Sequence, residues 1–282
     1  KAFDITLQVL QTEEALVRAA RELGEDAAKE NVRYMEVRYA PMLHTRKGLR
    51  LTSVVEAVLE GLWQAKERWG IESNVILCGI RNISPESSLE MAELAVAYKG
   101  RGVVGFDLAG GELGNPAARH AKAFEHARSH GMFCTCHAGE GEGADSVREA
   151  VHVCGAQRIG HGTRLIEDLR LTDELAQAGV AIEACLTSNV QTRAIPDYEH
   201  HPLRAYFERG MKVTLNTDNR LMSGTTLTDE YVHAARALHF GFDELCTLAR
   251  NGFESAFLPV GERAALLERI DTELAALRQE VV

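Results

Sequence analysis

The chain has 282 residues, 45% hydrophobic and 26% charged, a balance that excludes wholesale disorder and collagen-like repeats and suits one large domain or two small ones. Acidic residues outnumber basic ones, 41 to 31, and the resulting net charge of −10 argues against a phosphate-backbone binder, so nucleic acid is not an expected partner. No apolar run approaches the roughly 18 residues needed to cross a bilayer, so no membrane partner is expected.

The first residue is Lys1 rather than methionine, already entering a helical pattern, so an N-terminal piece is expected upstream and the question of a signal peptide stays open. Short β-branched or apolar runs then recur along the chain: Val32–Arg38, Asn74–Ile80, Val103–Leu108, Met132–His137, Arg158–His161, Ala181–Cys185 and Lys212–Asn216. Each is followed by a segment of helical period. These are Thr52–Trp69, Pro85–Tyr98, Asn115–His130, Asp145–Cys154, Asp168–Ala178 and Pro202–Arg209, with Thr12–Lys29 ahead of the first run and three terminal helices, Thr226–His239, Asp243–Asn251 and Glu262–Gln279. Ser84 and Asn115 stand before Pro85 and Pro116 as N-caps. Gly24 falls inside a helical stretch without a reason visible in the sequence.

This alternation predicts an α/β fold with a parallel sheet covered by helices, and neither repeats nor linkers divide it, so residues 1–282 read as one domain. Seven strands fit an open doubly wound sheet or an eight-stranded barrel short of its first strand. The barrel is favoured because the candidate phosphate cradles are poor. Gly110-Gly111 and Gly139-Glu140-Gly141-Glu142-Gly143 carry no lysine, and the second is doubly acidic.

Polar residues gather where the runs end. The ends read Asp107-Leu108-Ala109-Gly110-Gly111-Glu112, His137-Ala138-Gly139-Glu140, Gly160-His161-Gly162-Thr163, Thr187-Ser188-Asn189 and Asn216-Thr217-Asp218-Asn219. In a βα barrel such ends share one face, where catalytic loops lie. Any one of these groups alone reads as a hydrogen-bonded structural residue, but their joint burial would be costly unless they did some chemistry. Histidine nitrogen and aspartate oxygen on parallel strands are zinc ligands. Cys134 and Cys136 suggest a thiolate site, but strand alternation turns them away from the face of His137, which makes them buried thiols. All six cysteines read as reduced, which implies a cytoplasmic setting. His120, His126 and His130, and the pair His200-His201, read as surface residues.

These segments, in this order, resemble the adenosine deaminase family. The resemblance runs over essentially the whole chain. It includes Glu36-Val37-Arg38-Tyr39-Ala40-Pro41, Gly105-Phe106-Asp107-Leu108-Ala109-Gly110, His137-Ala138-Gly139-Glu140, Arg158-Ile159-Gly160-His161-Gly162-Thr163 and Asn216-Thr217-Asp218. It implies a (β/α)8 barrel of the TIM type, holding one zinc ion and hydrolysing adenosine to inosine and ammonia. By motif match His137 resembles a zinc ligand, and Asp218 the ligand that also hydrogen-bonds the water at the metal. Glu140 resembles the acid that protonates purine N1, His161 the residue that orients the attacking water, and Gly110 the residue whose backbone N–H meets purine N3. The substrate so implied is a small purine nucleoside. Adenine and aminodeoxyfutalosine, substrates of relatives, stay open as alternatives, as does a catalytically silent nucleoside-binding barrel. The stretches Thr187–Thr192 and Arg220–Thr226 look more like the adenosine enzymes.

Two departures stand out. The family's first strand supplies a His-x-His pair of zinc ligands, and none of the 11 histidines forms that spacing, so two further ligands are expected upstream of Lys1. Zinc held by His137 and Asp218 alone would be weakly bound. The family often carries Asp-Asp where this sequence has Asp218-Asn219, the second residue resembling the partner of purine N7. An asparagine amide donates to N7 at any pH, whereas an aspartate must be protonated to do so. Asn219→Asp is therefore expected to retain activity with a steeper fall at high pH; a pH profile unchanged from the parent would contradict this.

Overall fold

In a computed structural model, residues 2–281 are described. The chain divides into two compact units, residues 1–137 with 149–156, and residues 138–148 with 157–282.

The first unit alternates helices and strands in chain order. After helices α1 (Ala2–Val9) and α2 (Glu13–Lys29) come β1 (Tyr34–Tyr39), α3 (Leu51–Trp69), β2 (Glu72–Ile80), α4 (Pro85–Ala97), β3 (Val103–Ala109), α5 (Ala121–Ser129) and β4 (Phe133–Ala138). The four strands pair in parallel in that order. Tyr34 lies opposite Glu72, Cys78 opposite Asp107 and Phe106 opposite Cys134. Val75 to Gly79 are all buried, the continuous burial of a parallel strand covered on both faces.

Two helices show how sequence sets packing. Thr12 accepts a hydrogen bond from the N–H of Ala15 and so caps α2, as Ser84 does for α4 through Ser87. Along α2 the buried residues Leu16, Ala20, Gly24 and Ala27 fall at helical spacing. They meet the buried stripe of α3 at a distance that only glycine allows. A Cβ on Gly24 would stand 2.5 Å from Cβ of Ala65, and one on Gly61 would stand 2.3 Å from the Val17 carbonyl oxygen.

The second unit continues the alternation through β5 (Arg158–His161), α7 (Leu169–Gln177), β6 (Ala181–Ala184), α8 (Leu186–Gln191), α9 (Leu203–Glu208) and β7 (Lys212–Leu215). Helices α10 (Arg220–Ser223), α11 (Leu227–Ala237), α12 (Phe242–Glu254) and α13 (Val260–Val281) follow. Helix α6 (Ala144–His152) has residues in both units. Strands β5, β6 and β7 pair in parallel, and every residue of β5 and β6 is buried. Arg158, the first residue of β5, and Glu183 of β6 form an ion pair at 2.6 Å. The Arg158 guanidinium also lies 3.5 Å from the Phe257 ring centroid and donates to the Ser255 carbonyl. Among the described residues no helix is long and apolar enough to cross a membrane.

The expected helix Asn115–His130 is corrected. Asn115 does not cap it: its amide donates to the carbonyls of Gly111 and Leu113, each at 3.1 Å. Pro116 keeps its predecessor out of helical geometry, and a short 3-10 turn, Ala117–His120, precedes α5. The helix–helix contact makes a prediction. Gly61→Ala should lower the free energy of unfolding by about 1–3 kcal/mol, overpacking outweighing the gain in helix propensity. Gly252→Ala, in α12 with nothing within 4 Å of the added Cβ, should instead raise it by up to about 1 kcal/mol. Urea denaturation of both variants checks the pair, and equal signs would refute the packing argument.

Candidate active site

In the first unit one carboxylate organises the ends of all four strands. Asp107 on β3 is fully buried. The His137 Nδ1 atom on β4 lies 3.2 Å from its Oδ1 and 3.1 Å from its Oδ2; the Cys78 thiol on β2 donates to Oδ2 at 3.3 Å; and Arg38 Nε on β1 lies 3.6 Å from the same oxygen. Burial alone would raise the Asp107 pKa, but His137 and Arg38 overcome it and hold the group well below the usual carboxylate range. An ionised Asp107 accepts, so Nδ1 of His137 donates to it, and in the neutral ring the lone pair then falls on Nε2. This is the arrangement that orients a metal-binding histidine. The donor set in this unit therefore fits a metal ligand at His137.

Arg81, buried at the end of β2, supports the same region. Its guanidinium donates to the backbone carbonyl of His137 and, at 3.2 Å, to that of Asn115. His120 is not the surface residue expected. It is 1% exposed, with Nε2 3.1 Å from the Arg81 carbonyl and Nδ1 2.9 Å from Ser88 Oγ. Burial lowers its pKa. His130 is exposed, as read from the sequence, whereas His126 is half-buried. Gly110 has φ of +96°, and a Cβ there would stand 2.6 Å from Asn82 Oδ1, so no other residue fits without rearrangement. Cys134 and Cys136 are buried thiols; burial pushes Cys134 up to about 12 and Cys136 well above the ordinary thiol value.

In the second unit Glu140 and His161 come together, with His161 Nε2 3.6 Å from Glu140 Oε2. The turns that carry them are tied to each other. The Gly162 N–H donates to the Ala138 carbonyl, and the Gly139 carbonyl accepts from the Arg164 N–H and the Thr163 hydroxyl. His161 and Asp218 both adopt left-handed backbone, φ +66° and +51°, a conformation costing about 1–3 kcal/mol each and concentrated at functional positions. The hydroxyl of Ser188 donates to Asp218 Oδ2 at 2.7 Å. Asn219 caps α10: its Oδ1 accepts from the Met222 N–H at 3.2 Å, which leaves its Nδ2 as the donor end.

Sequence reasoning marked Asn189 among the polar strand ends and Thr192 in the stretch Thr187–Thr192 without giving either a role, and misread His201. Helix α8 brings Asn189 3.5 Å from Glu140 Oε1 and 3.0 Å from His161 Nδ1, and Thr192, just past its end, donates to Glu140 Oε1 at 2.9 Å. His201, expected at the surface, is 4% exposed, with Nε2 3.2 Å from Asn189 Oδ1. Its neighbour His200 is exposed, as expected, beside Asp197. The polar run Thr187-Ser188-Asn189 was the available signal, but six helical residues are too few to show a period. Among the described residues no group of three or more His, Cys, Asp and Glu gathers to hold a metal ion.

The family model for adenosine deaminase matches residues 1–273. The chain belongs to the adenosine deaminase family. It is 40% identical to adenosine deaminase 1 of Streptomyces coelicolor over 286 aligned positions, covering 96% of this chain and 72% of that protein. Among solved structures it resembles the adenine deaminase of Arthrobacter aurescens, with a TM-score of 0.88, 30% identity, and coverage of 94% of this chain and 81% of that one. An amidohydrolase from Burkholderia ambifaria, solved with bound Zn, matches with a TM-score of 0.86 and 25% identity over 94% of this chain and 76% of that one. As a deaminase-family member the chain is a hydrolase. Its fold is the family's α/β barrel type, with seven parallel strands among the described residues.

The buried histidine gives a pH prediction. Burial, and then the neighbouring His161, hold His201 down to about 3 from an ordinary 6.5, so it folds neutral and must gain a proton to match the unfolded chain in acid. Its contribution to stability is full above pH 6.5 and is lost as the pH falls toward 3. Denaturation midpoints measured between pH 7 and about 4 should fall less steeply for His201→Gln than for the parent; parallel curves would refute the assignment.

Proposed function

We propose that this chain catalyses the zinc-dependent hydrolytic deamination of adenosine, and of 2′-deoxyadenosine, giving inosine and ammonia. The observation that carries this reading is family membership at 40% identity to a named adenosine deaminase, joined to the pairing of Glu140 with His161. The named zinc-containing relative and the lone-pair nitrogen at His137 support the cofactor. His137 and Asp218 are the ligands this chain would contribute. Zinc, when bound, brings the pKa of water from 15.7 to about 7, so that hydroxide is available at neutral pH.

The other steps belong to side chains and backbone. Attack at C6 breaks ring aromaticity, and Glu140 delivers the proton to N1 that lets the ring accept the electrons. Gly110 offers its N–H to N3, and Asn219 its amide to N7. His161 orients the oxygen that attacks. We read residues 1–282 as one deaminase domain serving purine metabolism, with free thiols that suit a reducing, cytoplasmic compartment.

A second reading, adenine as substrate, is favoured by the likeness to the Arthrobacter enzyme. Turnover of adenosine, adenine and aminodeoxyfutalosine by the full-length protein, with zinc content measured alongside, separates them. Adenosine should be preferred, and preference for either other compound would replace the substrate named here. Glu140→Gln should lower turnover by about 10²–10⁴-fold, the usual worth of a positioned acid. A loss of less than about threefold would rule out proton delivery to N1 by this residue.

A further inference from the structure

Three buried side chains of the second unit form a chain of hydrogen bonds whose direction can be worked out from one end. That end is a backbone amide, which can only donate. The N–H of Leu203, the first residue of α9, lies 3.1 Å from His201 Nδ1, so Nδ1 must be the accepting nitrogen. The His201 ring is buried and uncharged, so its single proton sits on Nε2, which donates to Asn189 Oδ1 at 3.2 Å. With its oxygen so engaged, Asn189 turns its NH2 toward His161 Nδ1, 3.0 Å away, and toward Glu140 Oε1 at 3.5 Å. His161 Nδ1 is therefore an acceptor as well, which leaves the His161 proton on Nε2. Donors and acceptors match one to one along the whole chain, with no free choice of amide rotamer.

We propose that Asn189 and His201 are positioning residues that lock the tautomer of His161, holding it as an Nε2–H hydrogen-bond donor. The catalytic consequence rests on the deaminase reading above; the tautomer does not. In that reaction His161 in this state cannot take a proton through Nε2, the nitrogen nearer Glu140. It orients the attacking oxygen by donating to it and favours the negative charge that builds there. Asn189 then serves two residues from one orientation, since the same NH2 group faces both His161 and Glu140. Neither it nor His201 touches substrate; both act through His161. A carboxylate at position 189 would have the shape of asparagine with the opposite hydrogen-bonding sense toward His161, since it can only accept when ionised.

The test uses the full-length protein with 15N-labelled imidazoles and long-range 1H–15N correlation spectra, which distinguish Nδ1–H, Nε2–H and doubly protonated rings. His161→Gln assigns the His161 signals by their disappearance. The parent should show neutral Nε2–H rings for both His161 and His201 at neutral pH, and a His161 proton on Nδ1 overturns the proposal without any variant being needed. Asn189→Asp should move the His161 proton to Nδ1 or protonate the ring. It should also lower kcat by about 10-fold or more while KM stays within about threefold, the signature of an interaction used in the transition state. His201→Gln, whose amide can still donate to Asn189 Oδ1, should keep the parental His161 pattern and most of the turnover. An Asn189→Asp protein with the parental His161 tautomer and parental kcat refutes the relay. A protein with the expected tautomers but no deamination of any 6-aminopurine refutes the deaminase reading and leaves the relay standing.

Discussion

A carboxylate wholly removed from water must be compensated where it stands, and in the first unit that requirement fixes both packing and chemistry. Asp107 is compensated by one residue from each of the unit's other three strands: Arg38 on β1, Cys78 on β2 and His137 on β4. Parallel register puts Cys78 directly beside Asp107. Slipping either strand by one residue would turn a charged group into the apolar layer under the helices. Removing one partner would leave a buried charge uncompensated, a loss of about 3–5 kcal/mol where such pairs have been broken. The same contact that makes Asp107 tolerable gives His137 its orientation, so stability of the strand ends and readiness of the ring for a metal are one property.

The second unit solves a different problem with neutral groups. Its side chains at Asn189, His161 and His201 are almost fully enclosed, and each would be costly to bury with a donor or acceptor unmet. Here the fold specifies direction rather than charge. Glu230, also buried, accepts from the N–H of Thr187 and from the Thr225 hydroxyl, anchoring the start of α8 so that Asn189 is presented one turn on. The left-handed backbone at His161 is tolerated because the turn after it is tied to the turn after β4, where a Cβ on Gly139 would stand 2.7 Å from Val147 Cγ2 and one on Gly162 2.9 Å from Ile182 Cδ1. Strain is local and the restraint around it is dense.

Much of this was legible in the sequence. The alternation of apolar runs with helical periods placed all seven strands, and Arg158–His161 coincides with β5 to the residue. Polar residues at the ends of those runs marked Asp107, His137, Glu140, His161 and Asp218, because a parallel strand that ends in chemistry stops being apolar at a definite point. What remained hidden depends on partners far along the chain. Whether a histidine in an amphipathic helix or beside a proline is buried is decided by what packs on it. Ser88 meets His120 across 32 positions, and Asn189 meets His201 only because α8 turns the chain back. Gly24 had no reason until Ala65 was seen opposite it. Periodicity reports a segment's own faces, and these facts belong to pairs of segments.

The two asparagines of the second unit show what the fold adds to a motif. An amide is nearly symmetric in shape and opposite in chemistry at its two ends, so its identity in the sequence does not say which end does the work. In both cases a helix N-terminus decides. The first turn of a helix has N–H groups without partners inside the helix. One of them, from Met222 in α10, takes the oxygen of Asn219 directly. Another, from Leu203 in α9, acts through His201 to take the oxygen of Asn189. Each amide thereby presents its NH2 end on the other side. Donors that a helix cannot satisfy internally become the reference that sets hydrogen-bond direction several ångströms away. The two helices differ in what else they hold, since α10 buries none of its side chains whereas α9 also buries Leu203 and Tyr206, yet each contributes a fixed donor at a defined point.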